Sequence, residues 1–231
     1  MSLSRRLVIW PHHPDALQLP AADRWDPTPA EAMTWNIFRT LELMPPAFWL
    51  RRLNAFLGLV PPRPASVTAT VRLWAPLPMP PRFGVSVSDG VRTDVLIETE
   101  HAVWALIVCA DGDSGTAGSD ADIDPVAMLA YAASWFAGRR DCYVGAIIGS
   151  RPNATQVTVA LIEKYQLSPN ALKLRIPRGH DPSNVIGFGF TSWHCLIAVV
   201  RDLARGDVIH SVERVIAQRT LNWCEEAVCP I

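Results

Sequence analysis

Apolar positions along the chain change period several times, and each change predicts an element. Thr28, Pro29 and Glu31 form a capping box with proline at the first helical position, and Met33, Ile37 and Leu41 then recur at helical spacing. Pro45 and Pro46 end that helix. Pro46 also starts a second one, with Leu50, Leu53 and Leu57 on one face and Arg51 and Arg52 pointing away; with Arg39 on the first helix, they read as exposed arginines that serve solubility. Residues 1–27 carry prolines without sustained periodicity, which predicts a surface arm, with Leu7 to Trp10 as an edge strand.

Beyond the stiff connector at Pro61, Pro62 and Pro64, the period falls to two. Val67, Ala69, Val71 and Leu73 alternate with Thr68, Thr70, Arg72 and Trp74, as a half-buried strand does. A second proline-rich connector, Pro76 to Pro81, leads to Phe83 to Val87, and Asp89-Gly90 signals a turn. Then come two apolar runs, Val95 to Ile97 and Ala102 to Ala110, completing a meander of three or four strands. Asp124-Pro125 caps a helix with Met128, Leu129, Ala132, Trp135 and Phe136 along one side, and Gly138 stops it. Cys142 to Ile148 is a further strand, and the intervening helix predicts parallel pairing through a right-handed crossover. A weaker helix near Thr155 to Tyr165, a short strand at Ile186 to Phe190, and helices at about Ser192 to Arg205 and Val208 to Cys229 complete the chain. The expected fold class is α/β: a mixed central sheet flanked by helices.

Composition narrows the class without changing this outline. The 231 residues, 49% hydrophobic and 19% charged, suit one globular domain over residues 28–231 rather than a disordered chain. A formal net charge of −1 gives the molecule no overall attraction for nucleic acid, so a phosphate-binding face must come from local arginines. The five cysteines lack any CxxC pair, indicating reduced thiols rather than a disulfide framework or a zinc site. No stretch reads as a signal peptide or a membrane span, so the sequence points to the cytoplasm and to no membrane partner. Most tryptophans, including Trp35, Trp49, Trp104, Trp135 and Trp193, fall in apolar segments and are expected in the core.

The candidate chemistry concentrates between Thr93 and Asp113. Asp94 opens a buried run, and an acid there is costly unless paired or used. The second run ends in Cys109, Asp111 and Asp113, at the start of the loop DGDSGTAGSDAD. As a calcium loop this places Thr116 where glycine is required. Read as the DxDGT signature of haloacid-dehalogenase-type phosphatases, it is interrupted by Ser114. The histidines show no metal spacing, and His194-Cys195 on an amphipathic helix reads as packing rather than a dyad.

The phrases EAMTWNIFRTLE, TDVLIETEHAVWALIV, AGRRDCYVGAII and GFGFTSWHCL, in this order across roughly residues 28 to 225, resemble segments of bacterial members of the PD-(D/E)XK superfamily. The resemblance implies a restriction-endonuclease-like fold. It also implies a site in which a helix acid, a strand-entry Asp and a Glu-x-Lys surround Mg²⁺ or Mn²⁺ and an attacking water. Glu31 matches the helix acid and Asp94 the strand acid, but the Glu-x-Lys slot falls on Cys109-Ala110-Asp111. A thiol is a poor ligand for a hard cation, and an aspartate in place of lysine repels phosphate.

Two readings follow from the resemblance. In the first, the chain is a degenerate nuclease-like protein, catalytically inactive, that needs no cofactor and serves as a nucleic-acid-associated or protein-interaction module; DNA, an active nuclease or another protein is its partner, and a homodimer is compatible with it. In the second, it is a divalent-metal-dependent endonuclease with catalytic Asp94, Glu31 and Asp111, and with Asp94, Asp111 and Asp113 as metal ligands. Strand geometry bears on the second. If Glu100-His101 is a two-residue turn, Asp94 faces Ile107, and Asp111 lies roughly 13 Å further along an extended strand. Arg139-Arg140, after the crossover helix, is the candidate nucleic-acid-binding pair, with a solvated helix terminus as its plainer role.

Overall fold

A computed structural model describes residues 28–60, 68–79, 91–109, 124–149, 152–175, 181–206 and 209–228. In chain order the elements are α1 (Pro29–Glu42), α2 (Pro46–Leu57), β1 (Thr70–Leu77), β2 (Val91–Glu98), β3 (Ala102–Cys109), α3 (Pro125–Ala137), β4 (Asp141–Ile148), α4 (Pro152–Leu167), α5 (Pro169–Lys173), β5 (Val185–Ser192), α6 (Trp193–Arg205) and α7 (Ser211–Val228). The expected strands at Leu7–Trp10 and Phe83–Val87, the Asp89-Gly90 turn and the loop from Asp111 to Asp122 lie outside the described residues.

The five strands form one open sheet in sequence order. β1, β2 and β3 are an antiparallel meander, and β4 joins β3 in parallel, as a helical crossover dictates. β5 adds a second parallel pairing, onto β4. Helices cover both faces. On one face α1, α2, α6 and α7 pack on Leu73, Val95, Trp104, Leu106 and Ile147; on the other α3, α4 and α5 pack on Leu96, Val103, Ala105, Val144 and Phe188. β3 is central, and Ala102 to Leu106 are fully buried, which is why its sequence is continuously apolar rather than alternating.

Local signals account for most boundaries. Thr28 and Glu31 form the reciprocal cap of α1, and Asp124 Oδ1 accepts from the Ala127 amide at 2.9 Å to start α3. Gly138, at φ +64°, ends α3 in a conformation that favours glycine. Beneath it, Asn184 donates to the carbonyls of Ser134, Gly138 and Arg140. Among the described helices none is long and apolar enough to cross a membrane.

Five expectations are corrected. β1 starts at Thr70 and continues through Pro76 into the stretch read as a connector, because an edge strand tolerates a residue without an amide proton. α3 is buried almost all round instead of along one side, with α4 beside it on the same face of the sheet, and Trp135 is 47% exposed rather than core. Trp193 is only half-buried. Arg39, grouped by sequence with the solvated arginines, is buried: its Nη1 donates to Glu42 Oε2 at 2.6 Å and to the Val71 carbonyl at 3.0 Å, and its guanidinium lies 4.9 Å from the Trp35 ring centre. Arg51 and Arg52 are exposed as expected.

Candidate functional site

Asp94 sits where the regular sheet is interrupted on both sides. Thr99 N donates to the Ala102 carbonyl at 2.9 Å, so Glu100-His101 is the two-residue turn of the β2–β3 hairpin. The register runs from Glu98↔Val103 to Val95↔Leu106, and its continuation puts Ile107 opposite Asp94. Paired residues end at Val95, and side chains take over from the backbone. Asp94 Oδ2 accepts from the Val108 amide at 2.6 Å, and the Thr93 hydroxyl donates to the Leu106 carbonyl at 2.9 Å.

On the other side, β1 and β2 pair through Leu73↔Val95 and again through Ala75↔Thr93, which leaves Trp74 facing Asp94 across a break in the ladder. Trp74 has φ +52°, a left-handed conformation unfavourable for a bulky L residue. Its ring stacks on Trp35 at 6.1 Å, so α1 packs against the distorted position. No sequence signal marks this feature, because tryptophan carries no preference for positive φ.

The other expected site residues do not converge on Asp94 in any described contact. Glu31 is engaged at the start of α1, where its Oε2 accepts from the Thr28 amide at 2.7 Å. Cys109, half-buried, ends β3 one residue beyond the amide that Asp94 holds. Asp111 and Asp113 lie outside the described residues. Among the described residues no three His, Cys, Asp or Glu side chains gather as a metal site. A magnesium ion wants several hard oxygen ligands, whereas Asp94 has one carboxylate oxygen on an amide and Cys109 offers sulfur. These two residues do not fit the ion by themselves.

Arg139 and Arg140 lie at the opposite end of the sheet. Asp141 pairs with Ala102 while Ile148 pairs with Cys109, a separation of roughly 23 Å along the strands. Arg140 Nη1 meets Glu98 Oε2 at 3.2 Å and its Nε donates to the Ala137 carbonyl at 3.2 Å, the place the helix dipole favours for a cation. Arg72 also pairs with Glu98, and the guanidiniums of Arg72 and Arg140 lie 5.2 and 5.5 Å from the centre of the Phe136 ring. Arg139 is exposed.

Two further contacts involve groups capable of chemistry. The Cys195 thiol lies 3.5 Å from the Ser192 hydroxyl at the start of α6, and His194 is exposed. Tyr165 donates to Asp124 Oδ2; burial first, and then that bond, push its phenol well above the ordinary range, so it remains a proton donor. Both contacts anchor helix ends. Comparison with family models, with curated proteins and with solved structures finds no match to the chain.

Proposed function

We propose that the chain is a non-catalytic, restriction-endonuclease-like domain that works as a protein-interaction module. The observation that carries this reading is the use made of Asp94. The one strand acid that the resemblance to nucleases retains is hydrogen-bonded to the backbone of β3, beside a cysteine where a second carboxylate is required. A protein partner is favoured over nucleic acid because the net charge is −1 and because Arg72 and Arg140 are both tied to Glu98.

The alternative is a divalent-metal-dependent endonuclease using Asp94 with a migrated Asp111 or Asp113. Its support is the distortion at Trp74, since backbone strain concentrates at working sites. Incubation with assorted DNA and RNA in Mg²⁺ or Mn²⁺ separates the two. The first reading expects no cleavage, and cleavage that disappears in Asp94→Ala overturns it. Salt-dependent DNA binding that weakens in Arg139→Ala/Arg140→Ala replaces the protein partner with a nucleic acid.

A further inference from the structure

β4 and β5 are parallel neighbours, yet the helices that follow them leave to opposite faces of the sheet. After β4 the chain enters α4, whose Ile162 and Tyr165 belong to the core shared with α3. After β5 it enters α6, whose Leu196 and Val200 belong to the core shared with α1 and α2. Such a divergence opens a crevice outside the carboxyl ends of the two strands, the place where open α/β sheets bind ligands. The N-terminus of α6, a helix of 13 residues, forms one wall of it.

Two features of this wall match an incoming acceptor. The first amides of a helix have no acceptor within it. In α6 the Ser192 hydroxyl caps the Cys195 amide at 3.4 Å, and the His194 amide is the donor next to it in the turn. The second feature is Thr191, the last residue before the cap. It is only 3% exposed, and among the described residues its hydroxyl has no hydrogen-bond partner. Its register partner Ile147 lies in the core under α6, so the Thr191 side chain leaves the sheet on the face where that helix starts. A buried hydroxyl without a partner bears the full cost of its desolvation, and the helix dipole places partial positive charge at the same end. We propose that Thr191 and the N-terminus of α6 bind a small oxyanion, which accepts from the Thr191 hydroxyl and the His194 amide at the carboxyl ends of β4 and β5. The burial of Thr191 limits the bound group to the size of a carboxylate or a phosphate, carried by a free ion or by the end of a larger molecule. The site is three strands from Asp94 and does not rest on the proposed partner.

Titration of the full chain with sodium formate and, separately, with inorganic phosphate, followed by amide NMR at constant ionic strength with chloride as control, tests it. The amides of Thr191, His194 and Cys195 are expected to shift saturably with at least one of the two oxyanions and not with chloride. Saturation by formate alone assigns a carboxylate ligand, and saturation by phosphate alone a phosphate. Thr191→Val keeps the shape and removes the hydroxyl, and is expected to weaken binding about tenfold or more, whereas Thr191→Ser should retain it. Because the hydroxyl is unpaired without ligand, Thr191→Val in oxyanion-free buffer should melt no lower than the wild type, and saturating oxyanion should raise the Tm of the wild type only. Absence of saturable shifts with both oxyanions overturns the proposal, as does equal affinity in Thr191→Val. A Thr191→Val chain that is destabilised in oxyanion-free buffer overturns it too, since the hydroxyl then already has a partner inside the fold.

Discussion

Arg39 shows how far the setting of one residue can depart from its composition. Its side chain is 2% exposed and its partner Glu42 16% exposed, and together they bind both backbone groups of Val71: Arg39 donates to the carbonyl, and Glu42 Oε1 accepts from the amide at 3.3 Å. The pair therefore fastens α1 to β1, the outermost of the described strands. Removing one member of a buried pair leaves the other charge without compensation, whereas replacing both with apolar groups is far less costly. Glu42→Ala is expected to lower the stability measured by urea denaturation by about 3–5 kcal/mol. Arg39→Met/Glu42→Leu should lose clearly less than that single substitution; a double variant worse than Glu42→Ala would show that the pair stabilises the fold in its own right. In sequence, Arg39 is one more arginine on an amphipathic helix, and nothing local says that its face meets the backbone of β1. Asp94 is different. An acid at the mouth of a buried run is legible as a residue with a special task, but the identity of its partner, an amide on the next strand, depends on where a ladder stops.

At the scale of elements, the phrase Gly187-Phe188-Gly189-Phe190 reads as a strand and forms one, yet the reason for Gly189 is a helix more than 100 residues earlier. A Cβ built on Gly189 lies 1.9 Å from the Leu57 carbonyl oxygen, so the C-terminal turn of α2 rests directly on the β5 backbone. At Gly187 the nearest atom is a methyl of the Leu59 side chain, at 2.8 Å, which can swing aside. Backbone cannot do the same. Gly189→Ala is accordingly expected to cost about 3 kcal/mol or more by thermal or chemical denaturation, and Gly187→Ala a smaller amount. Equal losses at the two positions would mean that α2 shifts as readily as a leucine side chain. Helix starts were legible because their signals are local, as in Thr28 and Asp124, and this makes the cap of α1 a separate check: Thr28→Ala should lose about 1 kcal/mol. The resting place of α2 was not legible, since a close approach between distant segments leaves only a glycine as its trace, and glycine has many other uses.

For the whole molecule, the order of periods along the chain was enough to foresee an α/β fold with a meander followed by a parallel strand, because helix-separated strands have few ways to pair. Val71 and Leu73 contribute to the core under α1 and α7, but Ala75 and Leu77 to the core under α3. This turnover at Trp74 escaped, since alternation continues through Leu77 in the sequence even as the faces exchange. That turnover ties the two layers together, and two buried thiols allow the tie to be measured. Cys142 belongs to the α3 layer and Cys224 to the α7 layer. Burial pushes the Cys142 thiol from the ordinary 9.0 up to about 12, against a weaker opposite pull from Arg140. Burial, helped by Glu225, takes Cys224 to about 12 as well. A thiol whose pKa is raised by folding holds its proton in the folded state after the unfolded chain has lost it, so its contribution is complete below pH 9 and is lost as pH rises toward 12. Stability under reducing conditions should therefore fall above pH 9, by up to about 1.4 kcal/mol per pH unit for each thiol. If the layers unfold as one unit, Cys142→Ala and Cys224→Ala should each make the alkaline slope of the same single transition shallower, and the double variant should flatten it further. Two transitions, each responding to only one substitution, would mean that the layers melt separately and that the β1–β2 hairpin does not couple them.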